Sequence, residues 1–220
     1  MISQTEENYL KAIYKITERD NKAASTNAIA AAMNTTAASV TDMFNRLKSK
    51  SLVNYEKAKG VTLTTEGGHL ATSLIRKHRI WEVFLCEKLN YAWDECHDLA
   101  EELEHIQDND LINRLERFLS YPRFDPHGDP IPDVEGNFTP RPQVLLSEMR
   151  EGERGVIVGV QEHSSAFLQY LDKQKLTLGV EIAVLEVFEF DNSLKLRVKE
   201  GADVIVSSRV SQNLFLKKIA

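Results

Sequence analysis

The chain has 220 residues, 42% of them hydrophobic and 27% charged, which suits a folded domain with one or two small modules and excludes extensive disorder. No apolar run approaches the ~18–20 residues of a membrane span. Met1 is not followed by a basic and then apolar leader, and two cysteines, Cys86 and Cys96, make no disulfide framework, so a reducing, cytoplasmic setting is expected. The net charge of −6 divides unevenly: residues 1–80 carry 12 Lys and Arg against 7 Asp and Glu, and the remainder carries 15 against 26. A basic first third on an acidic chain points to a polyanion-facing module joined to one that attracts cations.

Tyr9, Leu10, Ile13, Ile16 and Thr17 recur at three- and four-residue spacing and predict a first helix. Ser25-Thr26-Asn27 supplies capping chemistry for a short helix over 28–33, and Asn34-Thr35-Thr36 precedes a third over 37–50 with Val40, Phe44 and Leu47 as its apolar stripe. Two short alternating segments, 52–55 and 61–64, flank a charged, glycine-bearing tip at 56–60 and predict a hairpin. Helix, short helix, turn, helix and basic hairpin in that order describe a winged helix-turn-helix. A long helix is expected after Gly67-Gly68, reaching about Leu89, followed by helices over 93–107 and 110–119. All six prolines fall between 122 and 142, so this stretch reads as extended loop and linker. From Leu145 the period changes to two, and about five short strands predict a small, partly closed barrel. The expected organisation is a winged helix-turn-helix domain over 1–68, an all-helical domain over 69–140, a linker over 141–150 and a barrel over 151–220.

The stretch His97-Asp98-Leu99-Ala100-Glu101-Glu102-Leu103-Glu104-His105 carries the densest chemistry. A helix through it places His97, Glu101, Glu104 and His105 on one stripe, and His78 and Glu82 form an i, i+4 pair on the preceding helix. Glu101 and Glu104 would repel each other at close range, and a divalent cation would remove that penalty. Cys96 points away from His97 on such a helix and reads as a packing residue, and His127 and His69 receive no role.

The chain resembles the diphtheria toxin repressor family of metal-dependent transcription regulators, which includes the manganese transport regulators. The resemblance rests on Thr5-Glu6-Glu7-Asn8-Tyr9-Leu10-Lys11-Ala12-Ile13-Tyr14, Ser39-Val40-Thr41, Arg76-Lys77-His78-Arg79, Glu104-His105, and the loop Asp125-Pro126-His127-Gly128-Asp129-Pro130-Ile131-Pro132. It implies a mainly α chain with an SH3-like, ferrous-transport-A-like β-barrel at its C-terminal end. It further implies an ancillary metal site at His78, Glu82 and His97 and a primary one at Glu101, Glu104 and His105, with Asn8 from the first helix. His163 or Glu162 would be the barrel's ligand, giving two ions per subunit. Iron-sensing members carry cysteine where Glu101 stands and methionine where Asn8 stands. Manganese-sensing members match Glu101 but carry aspartate in place of Asn8. Carboxylate, amide and imidazole donors without sulfur favour Mn²⁺ or Fe²⁺, and manganese is the expected ion.

The expected function is that of a repressor of metal-uptake genes, binding a palindromic duplex operator as a homodimer. Thr36, Ala38, Ser39, Thr41 and Asp42 would face base edges, while Arg46, Lys48, Lys57 and Lys59 would meet phosphates. An ion bridging Asn8 to Glu101, Glu104 and His105 would fix the angle between modules. A winged-helix regulator sensing an organic ligand is the alternative. A di-iron carboxylate enzyme would need a second usable Glu-x-x-His beside Glu102–His105, and the other match, Glu66–His69, is interrupted by two glycines.

Overall fold

In the computed structural model, which describes residues 2–199 and 203–219, the chain forms two compact units. The first comprises residues 1–81, 101–114 and 131–138, and the second residues 82–100, 115–130 and 139–220.

The first unit opens with α1 (Gln4–Asp20), started by a capping box in which Ser3 Oγ accepts from the Glu6 amide and Glu6 Oε2 accepts from the Ser3 amide. α2 (Thr26–Ala32) and α3 (Ala37–Ser49) begin at Ser25 and Thr36, whose hydroxyls accept from the amides of Ala28 and Ser39. The hairpin is β1 (Val53–Glu56) paired antiparallel with β2 (Gly60–Leu63), in the register Tyr55 to Val61. Leu10, Ile13, Ile29, Val40, Phe44, Leu47 and Val61 are fully buried at the centre of this unit, where the Phe44 and Tyr55 rings lie 5.0 Å apart. Each such side chain withdraws enough apolar surface to contribute about 1.5–3 kcal/mol. The hairpin is tied to the helices by a bridge between Ala24 and Val61, and Gly60 makes the close approach possible: at φ +93°, an added Cβ would stand 2.5 Å from the Ala24 carbonyl oxygen.

α4 (Thr65–Leu89) starts before Gly67-Gly68 rather than after it. Thr64 Oγ1 caps it by accepting from the Gly67 amide at 3.1 Å, so the glycine pair lies within the first turn. α5 is shorter than its periodicity suggests, Cys96–Leu103, and Glu104 and His105 fall in the turn after it. α6 runs Asn109–Phe118. The proline stretch carries no helix or strand between α6 and Val144 among the described residues, as its composition predicts.

The second unit contains a six-stranded antiparallel sheet in the order β3-β8-β4-β5-β6-β7, from Val144–Leu145, Leu214–Ile219, Arg154–Val160, Glu181–Val187, Leu194–Val198 and Asp203–Val206. β3 and β7 lie at opposite edges and do not pair among the described residues, so the sheet is open where a partly closed barrel was expected. One strand more than expected is present, because β3 is two residues long and carries no alternation to read. A helix that the sequence pattern does not announce, α7 (Ser165–Gln174), buries Leu168 and Leu171 beside Ile157, Val184, Leu196 and Leu216. Ten residues between strands, with no side-chain hydrogen bond from its N-cap Ser164, leave little for local pattern to show. α8 (Ser208–Ser211) precedes β8.

Candidate metal centre and DNA-reading surface

Within the first unit, residues from α1, α4 and the turn after α5 meet in a buried charged cluster. The Lys11 ammonium donates to Glu101 Oε1 at 2.7 Å and to Glu104 Oε1 at 2.5 Å. His78 Nδ1 stands 2.7 Å from Glu104 Oε2 and 4.0 Å from Glu101 Oε1. His105 Nδ1 lies 2.6 Å from Glu7 Oε2, whose other oxygen accepts from Gln107 Nε2 at 2.8 Å. With His105 Nδ1 engaged by a carboxylate, its Nε2 stands 3.8 Å from Glu104 Oε1. Burial pushes the Glu101 carboxyl up, and the Lys11 ammonium, with His78 and Lys15, more than reverses this, holding it below the ordinary carboxylate range. Burial lowers the Lys77 ammonium, which donates to the Ile106 carbonyl at 3.1 Å.

The donor set fits a divalent cation on two observations. Glu104 is fully buried, and its Oε2 accepts no hydrogen bond among the described residues, despite the near approach of His78. Asn8 Oδ1 on α1 is likewise buried without a hydrogen bond. Buried oxygens without donors are uncommon in folded proteins and have the character of ligand atoms. Of the expected primary ligands, Glu101, Glu104, His105 and Asn8 all lie in this unit. His78 faces Glu104, whereas Glu82 and His97 belong to the second unit. Glu7, Lys11 and Gln107 were not singled out from sequence. Glu7 and Lys11 are four apart, hence on one face of α1, which was the available sign.

In the second unit, Glu82 Oε1 is 3.0 Å from His97 Nδ1 and 3.5 Å from His127 Nδ1. His163, in the loop after β4, brings its ring to 6.3 Å from that of His97 and 4.9 Å from that of His127. Glu82 thus meets His97, and also His127, which carried no expectation, while His163 lies beside those two rings and 3.9 Å from Asp129 Oδ2. Burial works against a charged His127, but the Glu82 carboxylate, Asp125 and the Trp93 carbonyl outweigh it and push the imidazole up to about 9. Glu162 Oε1 instead accepts from the Ser164 amide at 2.9 Å.

Most of the DNA-reading candidates are exposed. Thr36, Ala38, Ser39, Asp42 and Arg46 on α3 are exposed, and Thr41 is half-buried with its hydroxyl donating to the Ala37 carbonyl. Thr36 Oγ1 and Ser39 Oγ are 3.0 Å apart at the helix N-terminus. In the hairpin tip Lys57 is exposed and Lys59 pairs with Glu56 at 2.8 Å. Lys48 donates to the Tyr55 carbonyl at 3.1 Å, which fastens the hairpin to α3. Lys50 pairs with Glu6 at 2.7 Å.

The chain matches the iron dependent repressor N-terminal DNA binding domain over residues 1–61 and the iron dependent repressor metal binding and dimerisation domain over residues 64–133. A structure described as a manganese-dependent transcriptional repressor complex with manganese is 30% identical, with a TM-score of 0.87, covering 97% of this chain and 99% of its own. The chain belongs to the iron-dependent repressor family. The structure of the manganese regulator SloR is 35% identical with a TM-score of 0.77, covering 97% of this chain and 98% of its own. The iron-dependent repressor IdeR of Mycobacterium tuberculosis is 29% identical over 180 residues, 78% of each chain. Residues 144–218 match the FeoA domain, so the open sheet is the FeoA module of this repressor. Like its family, the protein is a metal-dependent transcriptional repressor and not an enzyme, which removes both the organic-ligand and the di-iron readings. Among the described residues no helix is long and apolar enough to cross a membrane.

Proposed function

We propose that the protein represses transcription in the cytoplasm when Mn²⁺ is held by Glu101, Glu104, His105 and Asn8, with a second ion at Glu82, His97 and His163. One observation carries the reading: Lys11 and Glu7 on α1 already touch Glu101, Glu104 and His105, about ninety residues away, at 2.5–2.7 Å. α1 packs in the core from which α3 projects, so whatever fixes α1 against residues 101–105 also orients the reading helix. The ion supplies a charge that draws these donors together. Glu7 holds His105 with Nε2 toward Glu104, and Glu104, fully buried, sets one oxygen against Lys11 and the other 2.7 Å from His78 Nδ1. Oxygen and imidazole donors without sulfur support manganese, and the manganese-dependent repressor structures to which the chain is similar support it further.

A duplex operator is read by Thr36, Ala38, Ser39, Thr41 and Asp42, with Arg46, Lys57 and Lys59 on phosphates. Two copies of the chain present two reading helices to half-sites about 34–36 Å apart, or a multiple of that spacing. The test is binding of the full chain to a duplex selected from a random pool, in EDTA, Mn²⁺, Fe²⁺ and Zn²⁺. Mn²⁺ should raise affinity by about 5–150-fold over EDTA, and Glu104→Gln should abolish that gain. Equal affinity of wild type in Mn²⁺ and EDTA sinks the proposal. A larger gain with Fe²⁺ assigns iron instead.

A further inference from the structure

Lys11 is a contradictory neighbour for a cation site, because its ammonium engages the oxygens on which such a site would draw. The side chain is buried, and Nζ lies 2.7 Å from Glu101 Oε1 and 2.5 Å from Glu104 Oε1. The other oxygen of Glu104 is 2.7 Å from His78 Nδ1, and His105 Nε2 stands 3.8 Å from the oxygen that Lys11 contacts. Both oxygens of this fully buried carboxylate therefore have a nitrogen beside them, and only one of those nitrogens belongs to a side chain with no lone pair to offer a metal.

Charge sets the ammonium against a divalent ion. A single ammonium neutralises half of a carboxylate pair, whereas a divalent ion neutralises all of it. Held together in one buried cluster, the two cations would repel each other where water screens little. One must yield, and the ammonium has a way out. Glu101 is about one-third exposed, so its side of the cluster reaches solvent, and a four-carbon stem can carry the lysine head into water.

An ammonium between two carboxylates is also what a purely structural tie looks like. The two roles differ in what loss of the lysine does to cation affinity. Losing a structural tie loosens the donors and leaves affinity equal or lower; losing a competitor raises it. We infer, resting on the manganese reading of this cluster, that Lys11 is an internal competitor for the cation held by Glu101, Glu104 and His105, and that it sets the concentration at which the site fills. The ammonium leaves Glu101 Oε1 and Glu104 Oε1 for solvent with its proton in place, so no proton is gained or lost at Lys11. Every divalent ion meets the same opposition, so Lys11 moves the threshold and not the order of preference among metals. Manganese, lowest in the affinity order, is the ion on which such opposition tells most.

The test titrates the full chain with Mn²⁺, following the free ion by electron paramagnetic resonance; the binding that Glu104→Gln loses identifies the site. Lys11→Met should tighten that binding about tenfold or more. Lys11→Arg keeps the charge but grips two carboxylates through a planar fork, and should weaken the binding by about tenfold. Opposite effects of Met and Arg separate displacement of the side chain from the general pull of its charge, which Arg retains. On unaltered protein, acetic anhydride should label Lys11 about fivefold faster or more in Mn²⁺ than in EDTA, relative to the exposed Lys22. That readout decides the matter even where a variant fails to fold. Unchanged or weaker Mn²⁺ binding by folded Lys11→Met, or Lys11 labelling no faster in Mn²⁺, overturns the inference and leaves the manganese reading standing. Wild type that binds no Mn²⁺ sensitive to Glu104→Gln overturns both.

Discussion

Lys11 is the residue on which the charged cluster turns. Its ammonium, 6% exposed, lies between two carboxylates that would otherwise repel each other, one fully buried and the other about one-third exposed. Removing one partner of a buried ion pair is costly because the remaining charge has neither water nor a counter-ion. Lys11→Met should destabilise the metal-free protein by about 2–4 kcal/mol, below the fully buried range because Glu101 reaches solvent. Mn²⁺ replaces the missing positive charge, so the variant should recover more stability on Mn²⁺ addition than wild type does. Urea unfolding in EDTA and in Mn²⁺ measures both; an equal loss in the two conditions means that Lys11 serves only packing. Glu7 matters differently, by fixing which nitrogen of His105 faces Glu104.

The same residue type has opposite effects at adjacent positions of one element. The first turn of α4 contains Gly67 and Gly68, both of which local propensity treats as weak helix formers that alanine would improve by about 1 kcal/mol. At Gly67 an added Cβ would stand 2.0 Å from the Leu52 carbonyl oxygen, whereas at Gly68 it would meet nothing within 4 Å. Gly67→Ala should therefore cost about 2–3 kcal/mol by forcing α4 from the hairpin's base. Gly68→Ala should gain about 0.5–1 kcal/mol. Thermal unfolding of the two variants distinguishes them, and a stabilising Gly67→Ala would show that the contact yields without cost. The hairpin itself is secured by Lys48, which spends its ammonium on the Tyr55 carbonyl and leaves the tip lysines to meet phosphate.

At the scale of the whole molecule, the second unit exposes apolar side chains that one copy of the chain does not cover. Phe118 at the end of α6 is 64% exposed, with Leu89, Tyr91 and Tyr121 also in solvent. Phe84 and Lys88 approach the Phe118 ring from α4, which holds it in a defined orientation. In a repressor whose matched domain is one of metal binding and dimerisation, this face is the candidate seam between two copies. Phe118→Asp places a charge at that seam and should weaken self-association by about 2–4 kcal/mol, with operator affinity falling in parallel. Sedimentation velocity at micromolar concentration checks it, and an unchanged dimer locates the interface elsewhere.

Local physics carried much of this architecture in the sequence. Helical spacing from Tyr9 to Ile16, the caps at Ser25 and Thr36, and the glycine-bearing hairpin are decided within a few residues, so the winged helix-turn-helix is legible in the amino-acid order alone. Clustered prolines mark the loop for the same reason, since proline removes a donor and fixes φ wherever it stands. Glu101, Glu104 and His105 are legible as cation ligands because their types and spacing are unusual, but their arrangement is not. α5 stops at Leu103, and what brings the three together is a turn pressed against α1. The contacts of Lys11 with Glu104, of Glu7 with His105, and of His127 with Glu82 join segments tens of residues apart, which no local period encodes. The openness of the sheet is likewise a matter of which distant strands meet. Sequence determined the elements of the winged helix-turn-helix and the chemical character of the cation-binding stretch. Tertiary packing decided which donors converge, because convergence depends on where buried helices and pinned loops come to rest.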